Sequence, residues 1–404
     1  MNNRNNKMEL LGNAPIPKAL MAMGIPTMLG MMVNAIYNLV DAYFVGSLGT
    51  SQMGAISVVY PLGQVVGLGL LFGNGSASYL SRLLGKGDKE KANQVASTAL
   101  YSSITVGAIM IILSIIFLRP ILKFLGATDS IMPYAITYAS IYIISCIFNV
   151  FNVTMNNIVT SEGAAKTTMC ALMTGAILNI GLDPVFIYIL NMGVAGAAIA
   201  TAISQIVSTL VYLTFILRKK STYHFRIRNF SFTKDIMSEI FKIGIPTLVF
   251  QILTSLSISF VNTKSMVYGD SVIAGMGAVT RIVSMGSLMV FGFIKGFQPI
   301  AGYSYGAKKF YRLQEAIKTS ILWSTIFCVI YGLILAIFSK GIISQFTKMD
   351  LDMIRVGTQS LRINGFSFML FGFYTVYSSL LLALGKGLAG FFLGACRQGI
   401  CFIP

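Results

Sequence analysis

The chain has 404 residues, of which 55% are hydrophobic and only 11% charged, with a mean hydropathy of +0.76. A water-soluble domain carries about 25% charged residues, so this composition excludes a soluble enzyme, a disordered scaffold and a secreted disulfide module. Thirty Lys and Arg against thirteen Asp and Glu give +17; the basic residues lie between apolar runs, where they set orientation and meet anionic headgroups rather than nucleic acid.

Apolar runs long enough to cross a bilayer fall at 17–44, 53–80, 95–118, 132–158, 166–190 and 194–217. A basic stretch follows, and further runs occupy 240–268, 272–303, 316–338 and 353–384. An eleventh begins near Leu388. The first run is too long for a signal peptide and lacks a small-residue cleavage site after it, so it is expected to stay in the membrane. The predicted fold is an all-α polytopic membrane protein.

Alternate loops differ sharply in charge. One set carries twenty Lys and Arg, clustered around Lys7, Arg82–Lys91, the stretch after Leu217 and Lys308–Lys318. The other carries five: Arg119, Lys123, Lys340, Lys348 and Arg355. Basic residues stay inside, so the N-terminus is predicted to be cytoplasmic, in an inner (plasma) membrane. The five cysteines, Cys146, Cys170, Cys328, Cys396 and Cys401, sit in apolar runs without a CxxC pair and read as packing residues. The single histidine, His224, lies in a basic loop and reads as a surface residue.

The chain repeats itself. Gly24-Ile25-Pro26-Thr27 returns as Gly244-Ile245-Pro246-Thr247, 220 residues on, and the loop at Gly85 returns at Gly306. Six spans separate the copies, so both enter the membrane in the same direction. This parallel repeat predicts an N-terminal bundle at 1–217, a cytoplasmic basic linker at 218–238 and a C-terminal bundle at 239–404. Such repeats place a substrate cavity between the halves and support alternating access. A complete second half would run on past Pro404, so about eleven of twelve helices are expected, and the chain reads as a truncated product or fragment.

Ionisable side chains inside a bilayer are rare and mark function by default. Two acids lie well inside the spans, Asp41 and Asp183; Glu162 is expected at the interface. Asp41 shares a helix face with Asn34 and with Tyr37 or Asn38, and Asp183 follows Asn179 by four residues, so each acid sits on a polar stripe. The fourth run adds Asn149, Asn152 and Asn156; the sixth adds Thr201, Ser204, Gln205 and Ser208. These stripes predict a cation site that exchanges a proton or holds sodium among hard oxygen ligands. The alternative is a hydrogen-bond network gluing helices together. In the second half Gln251, Thr254, Ser255 and Ser257 form a stripe without an acid, and Arg281 and Lys295 are expected to meet backbone carbonyls, snorkel or touch substrate. Tyr37, Asn34, Asn152, Gln251 and Gln298 are the candidate substrate-cavity residues. Pro26, Pro61 and Pro246 interrupt spans and permit bends; a bend at Pro26, on the helix of Asp41, would couple ion binding to helix shape.

GIPTMLGMMVNAIYNLVDAYFVGSLG (24–49), SRLLGKGDKEKANQ (81–94), LNIGLDPVFI (178–187) and GFQPIAGYSYGAKKF (296–310) resemble the multidrug and toxic compound extrusion (MATE) family over nearly the whole chain. The resemblance implies twelve helices in two bundles forming a V, and export of organic cations and dyes against inflow of protons or sodium. It carries Asp41, Asn179, Asp183 and Thr201 over as an N-lobe cation site. It implies no cofactor beyond the coupling ion, small-molecule partners in a lipid membrane, and a monomer. A lipid-linked oligosaccharide flippase of the same superfamily and an inactive fragment are the alternatives. An enzyme is not expected, because no nucleophile–base pair, metal cluster or phosphate loop is present.

Overall fold

A computed structural model describes residues 2–396 apart from 47, 49, 60, 64–66, 267 and 346–349. Lys348, Cys401 and the end of the eleventh run therefore lie outside the described residues.

Among the described residues the chain is helical without strands. A short α1 (Asn2–Gly12) precedes the long α2 (Ile16–Gly46). The second apolar run divides into α3 (Thr50–Val59) and α4 (Gly67–Lys86). The break falls at Pro61, whose missing N–H and ring favour interruption. Then come α5 (Lys89–Ile116), α6 (Leu118–Phe124), α7 (Met132–Ser161), α8 (Ala165–Pro184) and α9 (Gly193–Leu217). The second half holds α10 (Lys234–Met266), α11 (Asp270–Gly306), α12 (Phe310–Ile337), α13 (Ser339–Ile343), α14 (Leu351–Phe368), α15 (Phe371–Ala383) and α16 (Gly387–Ala395). Nine described helices are long and apolar enough to cross a membrane; α14 and α15, bent by 51° relative to each other, make a tenth span if taken together. Helix α10 starts at Lys234, within the basic stretch 218–238.

The sequence repeat is also a backbone repeat. Gly163 and Gly385 turn with φ of 87° and 81°, and Gly87 at 80° is matched by Lys308 at 57°. A left-handed turn suits glycine because it lacks a Cβ; Lys308 keeps the same turn without that freedom.

The halves meet as pseudo-symmetric pairs, α2 against α11 and α10 against α4, with α4 and α11 crossing between them. A Cβ on Gly85 would lie 2.1 Å from the Tyr303 carbonyl oxygen, and one on Gly306 would lie 2.0 Å from that of Arg82. These two contacts exchange under the repeat. Gly75 against Ile240 and Gly296 against Gly24 join the same two helix pairs, about one turn out of exact repeat register. Bare backbones let the helices approach closely, as small residues do in membranes.

All these contacts lie toward the ends where Lys and Arg collect. Inter-half hydrogen bonds lie there too: Thr27 Oγ1 to Gly292 O at 2.6 Å, Ser78 Oγ to Leu382 O at 2.5 Å and Arg82 to Glu239 at 2.8 Å. Past Gly30, α2 leaves the second half and packs on Leu172 and Met169 of α8. The basic end is therefore shut. Helix α1 spans it: Lys7 Nζ reaches Glu162 in the first half and the Lys220 carbonyl just beyond α9, while Arg312 and Lys309 of the second half bond the Leu10, Leu11, Gly12 and Ala14 carbonyls at its end.

Candidate functional site

Asp41 sits four turns beyond Pro26 on α2, and Asp183 is the penultimate residue of α8. After Asp183, Pro184 removes a ladder N–H and the helix widens into a π-turn over Val185–Ile189, a form that recurs at functional sites. The two acids lie on different helices that pack along their lengths, and their carboxyl groups are near enough to influence each other directly. Two neighbouring carboxyls away from water repel each other when both are ionised, so the arrangement favours a proton or another cation held between them.

Neighbouring side chains complete the enclosure. Asp183, Asn179 and Thr201 are buried. In the orientation that satisfies both ends of its amide, Asn179 donates to Asp183 Oδ2 at 3.0 Å and accepts from the Thr201 backbone N–H at 3.3 Å. Tyr37, one turn before Asp41, lies beside both acids and beside Tyr142. Tyr142 stacks on Tyr138 with ring centroids 5.3 Å apart. The site offers two carboxyls, an amide, a threonine hydroxyl and phenols, all hard oxygen donors suited to a proton or an alkali cation.

Of the residues expected from sequence, Asp41, Asn179, Asp183, Thr201 and Tyr37 come together. Asn34 does not join them; it is exposed, with its carbonyl accepting from Asn38 at 2.7 Å. The Asn152 amide is held by α9: Nδ2 donates to the Gln205 carbonyl and side chain, each at 2.9 Å, and Oδ1 accepts from Thr209 at 2.9 Å. Gln251 is exposed on α10. Gln298 lines a small pocket at the shut basic end, away from the acids. Pro26 is buried where α2 crosses the second half, and Thr27 next to it bonds the Met23 and Gly292 carbonyls.

Sequence reading missed two features. Tyr138 and Tyr142 are four apart on α7, a spacing that was a legible signal beside the Asn152 and Asn156 stripe. Glu162, at the end of α7, is wholly buried in the protein, with Lys7 at 3.4 Å, Ser221 at 3.2 Å and the Thr222 N–H as partners. Nothing in the local pattern announces that α1 supplies its cation.

The MatE family model matches residues 26–185 and 246–404, one stretch in each half. The chain belongs to the MatE family. Curated MatE-like relatives include the multidrug export protein MepA of Staphylococcus aureus strain MSSA476, 31% identical over 395 residues, covering 97% of this chain and 86% of that protein. MepA of Staphylococcus saprophyticus is 31% identical over 391 residues, covering 96% and 86%. Among solved structures, a MATE in complex with MaL6 superposes with a TM-score of 0.91 at 27% identity, over 97% of this chain and 88% of that one. An outward-facing multidrug resistance MATE family transporter of the MOP superfamily gives 0.88 at 27% identity, over 97% and 87%. A MOP superfamily transporter from Pyrococcus furiosus, described by a binding pocket of reverse polarity, gives 0.88 at 28%, over 97% and 87%. Members of this family are transporters, and the all-helical fold with its two repeats is theirs.

Proposed function

We propose that this MatE protein is a secondary active efflux antiporter that exports organic cations and dyes in exchange for a proton or sodium ion. The observation that carries this reading is the placing of Asp41 and Asp183 on packed helices of the first half, with Asp183 buried and bonded by Asn179. An ionised side chain at mid-membrane costs about 2.5–3.5 kcal/mol on insertion scales, so two acids held together there without a cation are unstable. Loading a proton or sodium relieves that repulsion. The names of the MepA relatives support the substrate class, and the shut basic end supports alternating access between two bundles, residues 1–217 and 239–404. The excess of Lys and Arg on one set of loops supports a cytoplasmic N-terminus in an inner (plasma) membrane, and the protein is read as a monomer.

In this cycle Asp41 and Asp183 take up the ion from outside while Asn179 and Thr201 orient the carboxyls. Ion loading favours release of the drug outward, and discharge follows inside. One charge moving down 100 mV releases about 2.3 kcal/mol. At about 1.4 kcal/mol per decade, that sustains roughly a 50-fold gradient of a neutral drug per ion; one-for-one exchange with a monovalent organic cation is electroneutral and draws on the ion's concentration gradient alone.

The test is exchange in proteoliposomes. Ethidium should move against an imposed proton or sodium gradient with the natural chain, and Asp183→Asn or Asp41→Asn should abolish coupling while leaving the fold intact. Undiminished gradient-driven transport in both variants would overturn the assignment. Transport of a lipid-linked oligosaccharide with no dye movement would move the protein to the flippase branch.

A further inference from the structure

Lys295 lies on α11, and its ammonium reaches from the second half into the first, where it donates to Asn156 Oδ1 on α7. The side chain is part-buried. It faces a pocket of about 10 Å³, lined also by Ser78, Ser81, Asn157, Thr160 and Gln298. That volume is on the scale of one water molecule. Hydroxyls and amides line the pocket, and among the described residues no carboxylate does. Two acids toward the basic end have other cations: Glu239 is held by Arg82 at 2.8 Å and Lys242 at 3.4 Å, and Glu162 by Lys7 at 3.4 Å.

Asn156 is itself joined to the first half's interior. Its amide nitrogen donates to Tyr212 Oη at 3.2 Å on α9. The α9 face that carries Tyr212 continues through Thr209 and Gln205, both bonded to Asn152. The same helix carries Thr201, which meets Asn179 and through it Asp183. A polar seam along α7 and α9 thus has the acid pair at one end and the second half's lysine at the other.

An ammonium held between helices without a counter-charge loses more hydration than a single neutral hydrogen bond returns. When the basic ends part, water re-enters and the loss is recovered. We propose that Lys295 is a gate residue of the transport cycle, an uncompensated charge docked on Asn156 in the shut state that biases the shut basic end toward re-opening. This goes beyond the antiport reading while resting on its alternating access.

The sign of one shift tests it. Spin labels at Lys89→Cys and Tyr311→Cys, exposed positions on α5 and α12 of opposite halves, report the separation of the basic ends in the full chain with its other cysteines replaced. Lys295→Met keeps the length of the side chain and removes the charge, so the shut population should rise about tenfold relative to the open one, within the usual range of coupling. Asn156→Asp supplies the missing counter-charge and should shift the population the same way. In a Lys295→Met background, Asn156→Asp should instead lower the shut population, because the new carboxylate is then the lone charge. A fall in shut population for Lys295→Met, or no shift in either single variant, overturns the proposal and leaves Lys295 an ordinary clamp. Distances are read without drug or ion gradient, so a failure of antiport in the natural chain leaves this result standing and fails only the functional reading.

Discussion

Replacing Gly296 by alanine probes the shut basic end directly. A Cβ there would lie 2.5 Å from Gly24 N, 2.6 Å from Gly24 Cα and 2.6 Å from the Met23 carbonyl carbon. All three are backbone atoms, so no side chain can swing aside. Restoring an ordinary contact of 3.4 Å requires α2 and α11 to separate by about 0.9 Å. Overpacking of this kind costs about 1–3 kcal/mol, equivalent to a roughly 5- to 150-fold loss of the shut state relative to one in which the pair is parted. Gly277→Ala on the same helix is the control, because a Cβ there meets nothing within 4 Å. Both substitutions gain the same helix preference, about 0.5–1 kcal/mol, so their difference isolates the clash. Labels on Lys89→Cys and Tyr311→Cys should report lengthened distances for Gly296→Ala and the natural distribution for Gly277→Ala. An unchanged distribution and melting temperature in Gly296→Ala would mean that the two backbones do not meet there, and the account of the gate would fail with them.

Two further outcomes follow from the site and its supports. Asn152→Leu removes the bonds from Asn152 to Gln205 and Thr209; it should lower unfolding stability in mild detergent by about 0.6–1.7 kcal/mol, the range for polar contacts between membrane helices, while dye affinity holds. Lost dye affinity at full stability would make the amide a cavity residue instead. Glu162, just past the end of α7, gives a pH dependence: burial is the larger influence and pushes its carboxyl above the usual carboxylate range, against the pull of Lys7 and the Thr222 N–H. The folded state then keeps a proton that the unfolded chain releases, so stability is greatest below the ordinary value of 4.5 and falls as pH rises toward the folded value. Melting followed across that range should show the decline, and Glu162→Gln should flatten it; an undiminished slope assigns the effect to other groups.

Much of this protein is legible along the chain because a bilayer imposes local rules. Each crossing segment must satisfy its own backbone and be apolar for about 20 residues, which is why the runs at 95–118, 132–158 and 194–217 correspond so closely to α5, α7 and α9. The parallel repeat is equally local: Gly163 and Gly385 need the same left-handed turn, and so do Gly87 and Lys308. The expense of an acid in hydrocarbon singled out Asp41 and Asp183. Only the tertiary structure could decide that those two carboxyls are neighbours, that Asn152 turns to α9, that α1 brings Lys7 to Glu162 and that Lys295 crosses to Asn156. In a membrane, lipid-facing and helix-facing sides are both apolar, so hydropathy along one helix carries little record of its neighbour. Which polar side chains meet depends on the rotation and register of one helix against another, and bare glycine backbones such as Gly24 and Gly296 set that register only once both halves are folded.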